Sequence, residues 1–278
     1  MMSLTATFID QPLPWLATGL AIFAAWLMGF ARSGLGTGGF VVSPLMILAL
    51  GATDGLAVTA VLMLPAGAIG AWQHRGEAGW DLLKPLLVAA VVGTVIGAAM
   101  LWWLVSAGEL NVIHRRLEVV VACLSLFYVA LVVWREPIAN LGGGAGPPRV
   151  PGTFVAGTLL GISQTVANSG APLMTIYFLR HRLTKERFVA AQLDFLLVQN
   201  LLKLLPLIGL GLLHLGNAGA ALLLFPLVLL GNWSGQLFYR RASERLFFAL
   251  FTVLLVIGFC TSAALILGRA RVLALLGG

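Results

Sequence analysis

Apolar residues in this chain do not recur at the spacing of a surface helix or a half-buried strand. They come in long runs separated by short polar gaps. Ten runs lie near residues 14–31, 38–50, 54–73, 80–105, 110–134, 152–167, 170–180, 186–213, 217–239 and 243–268. Several reach the roughly 20 residues that a helix needs to cross the hydrocarbon core of a bilayer. The runs at 38–50 and 170–180 are too short to cross comfortably, because 13 helical residues rise only about 20 Å. The pattern predicts an all-α, polytopic membrane protein.

The two short runs follow breaks. "GFARSGLGTGGFVVSP" spans 29–44 and places Gly34, Gly36, Gly38 and Gly39 just ahead of the first. "NSGAPLMTIYFL" spans 168–179 and opens the second. Glycine lets a backbone turn where a side chain would clash. A helix that starts inside the protein leaves its first N–H groups unpaired and presents the positive end of its dipole, which together favour an anion. Pro44 and Pro172 fall early in the restarted segments, where proline costs a helix little. The alternative role for these glycines is close helix packing alone.

A glycine- and proline-rich stretch, "REPIANLGGGAGPPRVP" at 135–151, reads as a linker. It divides the chain into residues 1–134 and 152–278, each opening with a glycine-broken pair and continuing with three longer runs. The fourth run of each half carries small residues four apart, Gly93 with Gly97 and Gly231 with Gly235, a spacing that lets helices approach closely in lipid.

Composition agrees with the run lengths: 60% of the 278 residues are hydrophobic and only 10% are charged. The net charge of +7 does not mark a nucleic-acid-binding surface, because the basic residues are scattered through short loops. Twelve of them (Arg32, Arg75, Lys84, Arg135, Arg149, Arg180, Arg182, Lys185, Arg187, Arg240, Arg241 and Arg245) fall on one side of an alternating topology, and four (Arg115, Arg116, Arg269 and Arg271) on the other. The positive-inside rule puts the first set in the cytoplasm and both termini outside. Each half then makes an odd number of crossings, so the halves are expected to be inverted repeats, an arrangement that places a transporter's binding site near the midplane. The N-terminal "MMSLTATFIDQPLP" lacks a basic residue, so no cleaved signal is expected. Cys123 and Cys260, with no metal-ligand spacing, read as small core residues. No cofactor and no enzyme motif is expected.

"GLGTGGFVVSPLMILALG", "HRGEAGWD", "GISQTVANSGAPLMTIYFL" and "QNLLKLLP" together resemble the TauE/SafE family of sulfite exporters, also called the toluene sulfonate uptake permease superfamily, over nearly the whole chain. The resemblance implies movement of sulfite, sulfonates or related small organic anions across the cytoplasmic membrane. The first break reads Gly-Thr-Gly-Gly and the second Ser-Gln-Thr-Val-Ala-Asn-Ser-Gly, which is more polar than the glycine run usual in the family.

Substrate-binding candidates follow from donor chemistry. Lys203 is an ionisable residue inside an apolar run, a functional candidate by default, with snorkelling toward the outer interface as the alternative. Gln199 and Asn200 precede it by four and three residues. Gln164, Thr165, Asn168, Ser169 and Gly170 gather at the second break, as anion donors or as helix caps. Ser33, Gly36, Thr37, Gly38 and Gly39 play the matching part at the first. Arg32 reads as a topology signal facing the cytoplasm, with anion binding as the alternative. Asp194 is the best-placed carboxylate for coupling to protons, with a structural hydrogen bond as the alternative. Glu118 is expected to pair with Arg115 near a helix start, and His74 with Arg75 to lie in a loop. The expected function is a secondary transporter of small anions, with a passive anion channel as the alternative.

Overall fold

The computed structural model describes residues 13–34, 39–73, 75, 79–106, 108–134, 150–170, 173–174, 177–178, 181, 183–269 and 271–272. Nine helices run through the described residues: α1 (Pro14–Gly34), α2 (Gly39–Leu50), α3 (Ala52–Gln73), α4 (Trp80–Val105), α5 (Leu110–Val133), α6 (Val150–Ala167), α7 (Lys185–Gly209), α8 (Leu215–Arg241) and α9 (Glu244–Leu267). The seventh run, 170–180, lies partly outside the described residues, as do Gly36, Thr37, Gly38, Pro172, His74 and residues 135–149 of the linker. The helix α6 takes in Val150 and Pro151, which the composition had assigned to the linker. Pro44 sits in the second turn of α2, deeper than expected.

The surface is apolar, unlike that of a water-soluble bundle, and the interior holds small and polar residues alongside large apolar ones such as Phe40, Leu86 and Phe195. On α4, Val88, Val92, Val95 and Trp103 are exposed, while Ala90, Gly93, Thr94 and Gly97 are buried. Lipid is the solvent that such a face requires. Five helices, α1, α3, α4, α7 and α8, are long and apolar enough to cross a membrane. Six of the eight tryptophans, Trp15, Trp72, Trp80, Trp102, Trp103 and Trp134, are exposed near helix ends, where an aromatic belt meets the headgroups. Cys123 and Cys260 are exposed on this surface rather than in the core. They are among the apolar groups that face outward because the surrounding medium is oil.

Two helix pairs pack most extensively, α1 with α8 and α4 with α6. Their glycines explain the closeness. A Cβ on Gly231 would run into the Trp26 carbonyl, and one on Gly235 would meet Phe30 and Ser33. A Cβ on Gly93 would strike the Thr158 carbonyl, and one on Gly161 the Ala90 carbonyl. Residue numbers rise together along both seams, so both pairs are parallel. Backbone-to-backbone contact of this kind is what small residues provide in lipid, where no hydrophobic force drives helices together.

A polar cluster ties together one end of the bundle. Gly51, at φ +89°, turns the chain from α2 into α3. The guanidinium of Arg269 donates to the carbonyls of Leu48 (2.9 Å) and Ala49 (3.0 Å), closing the C-terminus of α2. Arg115 donates to the carbonyls of Leu265 (2.7 Å) and Ile266 at the end of α9, and pairs with Glu118 at 3.6 Å as the spacing predicted. His214 and Asn217, at the start of α8, reach Asp54 of α3 at 3.4 Å and 3.2 Å. The ends of α2 and α9 therefore share this face with the starts of α3, α5 and α8, as alternating crossings require. Arg269→Leu is expected to lower stability by about 1.5–3 kcal/mol through loss of charge-assisted hydrogen bonds to these carbonyls. Thermal unfolding in detergent checks it; an unchanged midpoint would show that water caps α2 equally well.

Candidate functional site

Helix α6 ends where Asn168 takes φ +55°, a left-handed conformation that asparagine tolerates better than most residues. The Gln164 side chain turns back over the break, and its Oε1 accepts from the Gly170 N–H at 2.9 Å. Its amide nitrogen donates to Asn200 Oδ1 at 2.8 Å on α7. Asn168 donates to the Leu56 carbonyl of α3 at 3.1 Å and accepts from Lys203 Nζ. The break in α6 is therefore laced to α3 and α7 by its own amide side chains.

Lys203 is wholly buried and does not snorkel. Its ammonium meets Asn168 Oδ1 and the Met63 thioether sulfur, the latter at 3.7 Å. Met63 lies about 17 Å along α3 by helical rise, near the middle of a core about 30 Å thick. The same residue receives Arg32: the guanidinium Nη1 donates to the Met63 carbonyl at 3.3 Å. Gly67 leaves room for that guanidinium, since a Cβ there would lie 3.3 Å from Nη2. Arg32 therefore points into the protein, which corrects the reading of it as a loop residue facing the cytoplasm. Helix α1 runs on to Gly34 instead of stopping at 31, and the extra turn carries the side chain inward.

Arg32 and Lys203 thus flank one methionine with no carboxylate paired to either among the described residues. Three nearby donors, Arg32 Nε, Arg32 Nη2 and Asn200 Nδ2, are buried without a partner there. Unpaired buried donors and uncompensated charge are costly. An ionisable residue inside the membrane is a functional-site candidate by default.

The other sequence candidates divide. Gln164, Asn168, Gly170 and Asn200 join Lys203. Gln199 turns to α4, where it accepts from Thr94 at 3.1 Å and donates to the Ala90 carbonyl at 3.4 Å. Successive helical residues point about 100° apart, so Gln199 and Asn200 serve different neighbours. Ser33 donates to the Gly29 and Asn232 carbonyls, both at 2.9 Å, on the α1–α8 seam. Thr165 bonds back to the Gly161 carbonyl at 2.7 Å on the α4–α6 seam, and Ser169 to the Ala167 carbonyl at 2.8 Å. Gly39 begins α2. Asp194 lies on α7 about 13 Å before Lys203 by helical rise. Arg32 joins this cluster, the second of the two roles the sequence offered for it, and Met63 is the residue that sequence reasoning missed. The signal for Arg32 was its place one turn before the glycine break; Met63, in an unremarkable apolar run, gave none.

The fold is that of a multi-pass helical membrane protein whose polar interior centres on two buried cations. The family model for the sulfite exporter TauE/SafE matches residues 21–261, and the chain belongs to that family of membrane transporters. Neither a curated protein nor a solved structure matches it.

Proposed function

We propose that the protein is a secondary transporter that carries a small oxyanion, sulfite, a sulfonate or a related organic anion, across the cytoplasmic membrane. The carrying observation is the pair Arg32 and Lys203 at Met63, buried without a carboxylate and beside unpartnered N–H groups. Arg32 Nε and Nη2 form an edge suited to two oxygens of one anion, and Lys203 adds a point charge. Asn200 Nδ2 supplies a neutral donor. Gln164 holds the backbone of the break in place. Asn168, Asn200 and Lys203 are at most 2% exposed. Burial of these residues favours alternating access over an open pore.

The helix pairing supports inverted repeats. α1, the first helix of residues 1–134, packs on α8, the fourth run of residues 152–278; α6, the first of the second half, packs on α4, the fourth of the first. Exchanging the halves exchanges the two seams. The third members, α3 and α7, meet each other, and Met63 and Lys203 touch at that crossing. Rocking one half against the other around this crossing would expose the anion to each side in turn. Asp194, on the N-terminal part of α7, is the carboxylate placed to couple that movement to protons.

In this reading both termini are external and residues 135–151 cytoplasmic. A cysteine at Gly144 is expected to resist an impermeant thiol reagent applied to intact cells and to react after permeabilisation, in a background with Cys123 and Cys260 replaced. Ready labelling from outside would reverse the orientation. Direct binding of sulfite to the purified protein tests the function; no binding of sulfite or of methanesulfonate at millimolar concentration would reject it.

A further inference from the structure

Two strong donors converge on a poor acceptor. Lys203 Nζ and Gln164 Nε2, each with one amide oxygen as acceptor in Asn168 and Asn200, both also reach Met63 Sδ, at 3.7 Å and 3.8 Å. A thioether is a weak acceptor, and a buried ammonium is ordinarily met by a carboxylate or a set of oxygens. The Met63 carbonyl meanwhile takes Arg32 Nη1 at 3.3 Å. One residue therefore occupies the centre of the polar cluster, touched by both cations, while the donors around it go unpartnered.

We propose that the Met63 side chain is a displaceable placeholder for the anion. Its sulfur stands where an oxygen of the bound anion belongs and swings aside when the anion enters. This rests on the anion-site reading above. Methionine suits the part because it is unbranched, with three rotatable bonds, and can vacate a space without moving the backbone. Its weakness as an acceptor is the useful property: the sulfur fills the space between Lys203 and Gln164, which are held by Asn168 Oδ1 and Asn200 Oδ1, yet an oxyanion outcompetes it. An empty carrier must also return across the membrane to complete a cycle. Met63 so tunes affinity, and the side chain at position 63 sets how easily the anion gains the site.

The test compares sulfite binding to the full-length protein in detergent for the wild type, Met63→Leu and Met63→Gln. Leucine keeps the volume and removes the acceptor, so the anion has no internal competitor, and binding is expected to tighten about 3- to 10-fold. Glutamine offers a true carbonyl acceptor to Lys203 and is expected to weaken binding by a similar factor. A second readout is the ε-methyl resonance of Met63 in protein labelled with 13C-methyl methionine, assigned by its loss in Met63→Leu. It should shift on sulfite addition. Unchanged affinity in Met63→Leu, weaker binding in Met63→Leu, or a stationary resonance at saturating sulfite would each overturn the placeholder while leaving the anion site intact. Absence of sulfite binding in the wild type would overturn both.

Discussion

Lys203→Gln and Arg32→Gln are each expected to weaken sulfite binding by about 10- to 150-fold, the equivalent of roughly 1.5–3 kcal/mol for one charge-assisted hydrogen bond. The same substitutions should raise the thermal stability of the empty protein. Each buried cation lacks a carboxylate partner, and removing an unsatisfied buried group relieves roughly 1–3 kcal/mol. Opposite signs for binding and stability are what a site held open for a ligand produces, since stability is given up for function. Lys203→Arg keeps the charge but changes the shape, and should retain part of the affinity. Titration with sulfite and thermal unfolding without it, at one pH and salt concentration, give both signs. Loss of stability together with unchanged binding would make the two cations structural and leave the helix N-termini to hold the anion.

The second large effect lies in the seams. Gly231→Ala and Gly93→Ala should each cost about 1–3 kcal/mol, because the new methyl meets a carbonyl of the facing helix and neither backbone can withdraw without separating the pair. Valine at either position is expected to prevent recovery of folded protein. Gly19 is the control: a Cβ there meets nothing within 4 Å, so Gly19→Ala should be neutral or mildly stabilising through helix propensity. Yields after detergent extraction and unfolding midpoints check this. Equal behaviour of Gly19→Ala and Gly231→Ala would mean that the seam adjusts freely. If the halves are inverted repeats, Gly93 and Gly231 should respond alike, since the α4–α6 and α1–α8 seams are exchanged.

The membrane character of the chain, its helical class and most helix limits were legible in the sequence, because run length against bilayer thickness is a one-dimensional property. So was Lys203: a charge inside an apolar run costs too much to be accidental. Gln164, Asn168 and Asn200 were legible as candidates for a related reason, being amides in oil. Arg32 was misjudged because its meaning turned on whether α1 stopped at 31 or ran on to Gly34. One further turn of helix directs the side chain inward, and glycine-rich sequence does not mark that limit sharply. The grouping of Gln199 with Asn200 assumed a single neighbour, whereas α7 is buried against both α3 and α4. Ser33 and Thr165 were chosen as donors, but each has a carbonyl nearby on its own helix and bonds there first. Cys123 and Cys260 were placed inside by a rule made for water, and lipid removes the force behind that rule.

The sequence by itself determined the medium, the number of apolar runs, the two broken segments and the presence of a cation in the oil. The tertiary structure alone decided that Arg32 and Lys203, 171 positions apart in the chain, flank the same methionine. Periodicity reports which face of a helix is apolar, not which helix that face meets. Here the meeting is set by the packing of α1 and α7 against α3, and only that packing brings two distant cations around Met63.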